Sequence, residues 1–163
     1  MNKLGLFLCF LLAISYTQSE VIDGLDINEL YDKFTIIAKG MAETTAYKCA
    51  NSLINNKAKI LPEVENIMKS LNNEQELMSK LIGAGLKLFM IDGFATDCNL
   101  QGIMDIAPKI TKAEGIRNMG NNMINNANEL ETIFKEFTNA SDLDGKLIVI
   151  GKIIRKITGI SFK

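Results

Sequence analysis

Along most of this chain apolar residues recur at spacings of three and four rather than two, the period of a helix that turns one face to a core. Asp26 with Glu29 three residues on has the form of a capping box, and Leu30, Phe34, Ile37 and Met41 follow at 4, 3 and 4. The stripe runs on through Thr45, Cys49 and Leu53, so a second segment, about 41–55, either continues this helix or restarts after Gly40. Residues 57–61 read as a connector. Pro62 is tolerated in a first helical turn, and Val64, Ile67, Met68 and Leu71 then mark a short helix ending at Asn72-Asn73.

Asn73 with Glu76 opens the most apolar stretch, through Leu77, Leu81, Ile82, Leu86, Phe89 and Met90, which the pattern makes the central helix. Gly83 and Gly85 lie inside it, each costing about 1 kcal/mol against alanine, so a neighbour is expected to pack close to the backbone there. Asp92-Gly93 breaks the pattern, and 94–106 predicts a further helix that carries Cys98 and is ended or restarted by Pro108. From 109 to 138 the chain is more polar. Asn118, Asn121, Asn122, Asn125, Asn126 and Asn128 interleave with Met119, Met123, Ile124 and Leu130, a helical spacing with the asparagines as a solvated face. Leu143, Leu147, Ile150, Ile154 and Ile157, at 4, 3, 4 and 3, make 143–160 a last helix despite its β-branched residues.

The expected fold is therefore all-α, a single-domain bundle of about five or six helices over residues 20–163. Residues 1–19 do not belong to it. A lysine at position 3, an apolar run over 4–14 too short to span a bilayer, and small residues at Thr17 and Ser19 have the layout of a cleaved signal peptide. Cleavage discards Cys9 and leaves Cys49 and Cys98 as an even pair in an oxidising compartment, where a disulfide is the expected state. Closing a loop of about 50 residues restricts the unfolded chain by roughly 4 kcal/mol in the entropy model. No second run of about 20 apolar residues follows, so the mature protein is expected to be secreted, outside the cell or in a secretory vesicle. Asn139-Ala140-Ser141 is a glycosylation sequon at the mouth of the last helix.

Composition narrows the chemistry. With 47% apolar residues and a net charge of −1 over 163 residues, this is a folding chain rather than a disordered one. It has no histidine, which removes the commonest general base and transition-metal ligand. The sequence holds no nucleophile elbow, P-loop, dinucleotide fingerprint or H-E-x-x-H, and Asp142-x-Asp144-Gly145 begins like a calcium loop without its downstream ligands. A non-enzyme with no cofactor and no metal is expected.

Charge is uneven along the chain. Residues 145–163 hold Lys146, Lys152, Arg155, Lys156 and Lys163 and no acid. A basic, isoleucine-rich amphipathic helix suits a membrane interface, with Lys152, Arg155 and Lys156 addressing anionic headgroups. The same features suit the closing helix of a bundle, whose dipole the cations complement. Nucleic acid is not expected, since the chain is not basic overall. Eight methionines fill core gaps or line an adaptable apolar cavity. In the latter reading Leu81, Leu86, Phe89 and Met90 line the interior around a hydrophobic small molecule or lipid. The expected function is a secreted helical binding protein for such a ligand or for an anionic membrane surface. The alternative is a homo-oligomeric structural or packaging protein of an extracellular matrix or secretory granule.

Overall fold

In the computed structural model Asp26 caps α1 (Ile27–Met41), its carboxylate accepting from the N–H groups of Asn28 and Glu29. Leu30, Phe34, Ile37 and Met41 are buried, as their spacing predicts. The structure describes residues 26–70, 74–110 and 112–163. The expected leader, its expected cleavage site and Cys9, and the Asn73 end of the predicted second capping box, lie outside the described residues.

After α1 the chain turns through Tyr47, which is left-handed at φ 47°, into α2 (Lys48–Asn55). The expected connector at 57–61 is instead the first part of α3 (Lys57–Lys69). Ile60 stands four residues before Val64 and is buried with it and with Ile67, so the apolar stripe begins a turn earlier than Pro62 suggests. Pro62 lies inside α3 at an exposed position, and Ala58, whose carbonyl its missing N–H leaves without a helical partner, is exposed as well.

The next helices are α4 (Glu74–Phe89), a single turn α5 (Phe94–Asp97) and α6 (Leu100–Ile110). The predicted helix 94–106 is thus cut in two. Asn99 takes φ 48° between the pieces, and its side chain accepts from the Gly102 N–H while donating to the Ser161 carbonyl at 3.0 Å. The polar stretch is also two helices, α7 (Ala113–Asn125) and α8 (Ala127–Asn139), hinged at Asn126. Last comes α9 (Leu143–Thr158), capped by Asp142 and closed by Gly159 at φ 72°. Nine helices stand among the described residues against the five or six expected, because short polar hinges interrupt three of the apolar stripes.

The principal packing is α9 along α1. Gly40 and Gly151 let the two backbones touch: a Cβ on Gly40 would land on the Ile148 carbonyl and lie 2.9 Å from the Gly151 Cα, and one on Gly151 would strike the Ile37 carbonyl. Beyond α9 the chain runs back into the core. Ile160 and Phe162 are buried, and Ala42 and Phe162 form an isolated parallel bridge. Phe162 N–H donates to the Met41 carbonyl, Glu43 N–H to that of Phe162, and Lys163 N–H to that of Asp97. Cys49 N–H in turn donates to the Lys163 carbonyl at 3.0 Å, which gives the uncapped start of α2 an acceptor.

Cys49 and Cys98 form the expected disulfide, with Cα atoms 4.6 Å apart. It joins the start of α2 to the end of α5, and both residues belong to one core cluster with Tyr31, Phe34, Ile37, Ala50 and Leu53. The Tyr31 hydroxyl donates to the Leu53 carbonyl at 2.8 Å inside that cluster. Burial first, and then the Asp32 carboxylate, push its pKa well above the usual value for a phenol. Such a group keeps its proton in the folded state after the unfolded chain has lost it. Stability is therefore expected to stay level with pH up to about 10 and to fall above it. Tyr31→Phe removes the Tyr31 share of that slope in alkaline denaturant titrations and lowers stability at neutral pH by about 1 kcal/mol.

Candidate functional site

Three of the four predicted ligand residues, Leu86, Phe89 and Met90, do not line the interior. Leu86, Phe89 and Met90 stand on the outside of α4 together with Ile82, the four side chains being between 48% and 81% exposed. The Leu81 side chain lies outside the described residues. Helix α4 is apolar on two faces: Ala84 is buried, and Leu88 with Ile91 just beyond the helix packs on the core, through contacts of α4 with α3 and α5. The set at 82, 86, 89 and 90 falls on the opposite side of the same helix. One spacing serves both faces, and Leu86, Phe89 and Met90 belong to the outer one.

Gly83 and Gly85 correct a second expectation. A Cβ at either would meet nothing within 4 Å, so no neighbour packs on them. They flank the exposed stripe with open space, and among the described glycines the backbone-to-backbone contact is between Gly40 on α1 and Gly151 on α9.

The basic end of α9 is likewise engaged within the fold. Lys152 pairs with Glu136 at 2.6 Å and Lys156 with Glu129, both acids on α8, while an Arg155 amino group donates to the Ala42 carbonyl at the end of α1. Exposed pairs of this kind each contribute little to stability, but they orient the cations along α8 rather than toward a surface outside. Phe162, at the end of the basic segment, is buried. These contacts give α9 the role of a packed closing helix.

Two open clefts meet beside this region, of about 380 and 410 Å³, sharing Glu43 and Ser161, whose side chains hydrogen-bond to each other. Asn122, Asn126, Arg155 and Lys156 line the first, and Phe89, Asn99, Gln101 and Lys163 are among those lining the second. Much of their polarity braces the fold: Asn122 donates to the Ile157 carbonyl at 3.0 Å, Asn126 to that of Asn122 at 2.7 Å, and Asn99 to that of Ser161. Asn122 and Asn126 are therefore half-buried braces rather than members of a solvated face, whereas Asn118, Asn121, Asn125 and Asn128 are exposed as expected. Asn139 is exposed at the last turn of α8, with its sequon running into the link to α9.

A second apolar surface, missed in the sequence, lies on α7, where Ile116, Met123 and Ile124 are exposed. Its signal was there to read, since these residues repeat the 82, 86, 89, 90 spacing with Gly120 in the second place. Among the described residues no helix is long and apolar enough to cross a membrane. No family model, curated protein or solved structure matches this chain.

Proposed function

We propose that this protein is a secreted, non-enzymatic binding protein that engages an apolar partner surface through the outer face of α4. The observation that carries this reading is the joint exposure of Ile82, Leu86, Phe89 and Met90 on one side of one helix. Single exposed apolar residues are ordinary, but a contiguous patch of several hundred Å² on a soluble protein marks an interaction surface. Its shape narrows the partner. A convex helical stripe fits the face of another helix better than it encloses a small molecule, and helix recognition through positions i, i+4 and i+7 is a recurring mode. The leader pattern of residues 1–19, the disulfide and the exposed sequon asparagine support the secreted setting.

The face is expected to bind a hydrophobic dye such as bis-ANS. The double variant Leu86→Glu, Met90→Lys should lose about half or more of that fluorescence enhancement at equal fold content by circular dichroism, because two of four side chains in the patch become charged. Ile54→Glu, at an exposed apolar position on α2, should leave it unchanged. An enhancement that is insensitive to the α4 double variant would remove the basis of this reading.

A further inference from the structure

The stripes on α4 and α7 have the same layout. Along α4 the positions i, i+4 and i+7 are Ile82, Leu86 and Phe89, with Met90 at i+8 in the turn just beyond it, and on α7 the same four are Ile116, Gly120, Met123 and Ile124. They differ at the second position, where α4 carries a leucine knob 63% exposed and α7 carries a glycine at which a Cβ would meet nothing within 4 Å. The glycine leaves a notch one turn from Ile116 and one turn from Ile124. Among the described residues the stripes stay exposed: α4 packs on α3 and α5, and α7 packs on α6, α8 and α9.

We infer that copies of this chain associate head to tail, the α4 stripe of one seated on the α7 stripe of the next, with Leu86 entering the notch at Gly120. This rests on reading the α4 stripe as a binding surface, and adds the identity of the partner. Three features argue for a second copy. The first is the knob and notch at matching positions, which ridge-into-groove packing needs. The second is precedent inside the molecule, where Gly40 and Gly151 seat two helices backbone to backbone.

The third is area. At about 150–200 Å² for a large residue, full covering of the exposed fractions on the two stripes would bury roughly 650–900 Å² of mostly apolar surface. With flanking backbone and polar atoms added, that approaches the 1,200 Å² or so at which specific interfaces begin. A contact between two different faces leaves each bound pair with one free α4 stripe on one copy and one free α7 stripe on the other, so association continues into rings or filaments rather than stopping at a pair.

The test uses sedimentation velocity of the full, disulfide-bonded chain from low micromolar to near-millimolar concentration. Wild type should gain mass steadily with concentration. Leu86→Glu and Ile124→Glu should each weaken association at least about 30-fold, the size expected of central interface residues. Mixed together they should form a one-to-one dimer and no larger species, because each supplies the stripe the other lacks. Circular dichroism of both variants establishes that they are folded.

Three results overturn the inference. If Ile124→Glu associates as wild type does while Leu86→Glu does not, the contact is α4 on α4. If wild type is monomeric throughout but floats with phosphatidylcholine–phosphatidylserine vesicles in a Leu86-dependent way, the stripe is a binding surface whose occupant is lipid. If it is monomeric, does not float, and the dye signal is insensitive to the α4 variant, the binding surface itself falls as well.

Discussion

Replacing Gly40 or Gly151 with alanine is expected to lower stability by roughly 3 kcal/mol or more, at or beyond the upper end of overpacking penalties. At both sites the obstacle is backbone: the Ile148 carbonyl and the Gly151 Cα face Gly40, and the Ile37 carbonyl and the Gly40 Cα face Gly151. A flexible side chain could swing away from a methyl group, but these atoms belong to the hydrogen-bonded ladders of α1 and α9 and move only if the helices separate. Separation would expose Ile37, Met41 and Leu147, which are buried between and beside them. The same change at Gly83 or Gly85 should have the opposite sign. Both lie within α4 with nothing near the new methyl, so alanine gains about 0.5–1 kcal/mol from helix propensity and a less mobile unfolded chain. Guanidinium denaturation of the four variants reads this directly. A small loss at Gly40 and Gly151 would mean that α1 and α9 do not pack as described, and a loss at Gly83 or Gly85 would mean that the α4 backbone there is not open.

That contrast also shows what could be read from the sequence and what could not. Periodicity identifies which positions share a helix face, so the core residues of α1 and the helical character of 143–160 were legible, and cysteine parity gave the disulfide. Periodicity does not say which of two apolar faces meets the core. On α4 both faces carry large aliphatics, and the outer one was taken for the inner. The four glycines look alike as letters, because a close contact depends on a helix more than a hundred residues away in the chain. Pro62 shows the limit of local punctuation: a proline signal outweighed Ile60, whose burial with Val64 decides where α3 begins. Asn99 is a hinge stabilised by a side-chain bond to the Ser161 carbonyl, a partner 62 residues away that no window of local sequence displays.

The C-terminal basic segment was the most ambiguous feature of the sequence, and its fate follows from partners contributed by other helices. Glu129 and Glu136 on α8 meet Lys156 and Lys152, and the end of α1 offers the Ala42 carbonyl to Arg155. A wide apolar face with cations near its C-terminal end fits a membrane and a bundle equally well on composition alone. The burial of Ile160 and Phe162 distinguishes them, because those side chains are covered by the core around the disulfide rather than presented outward.

Phe162→Ala and removal of the disulfide are accordingly expected to be two large losses that do not add. Phe162 is a buried aromatic whose truncation should cost about 3–5 kcal/mol. Replacing Cys49 and Cys98 together by alanine, which frees a loop with a sequence separation of 49, should cost about 2–4 kcal/mol. The two sites share a structure. Lys163 is clamped between the Cys49 N–H and the Asp97 carbonyl, the backbone groups at the two ends of the disulfide cross-link, and Phe162 is held next to it by Met41 and Glu43. Without the cross-link the clamp loosens, so Phe162 has less native packing left to lose. The combined variant should therefore fall short of the sum of its parts by about 0.5–3 kcal/mol, the range for groups in one network. A double-mutant cycle by urea denaturation measures the difference. Strict additivity would mean that the last residues of the chain are held by their own burial alone, and that the disulfide fixes α2 to α5 without setting the position of residues 160–163.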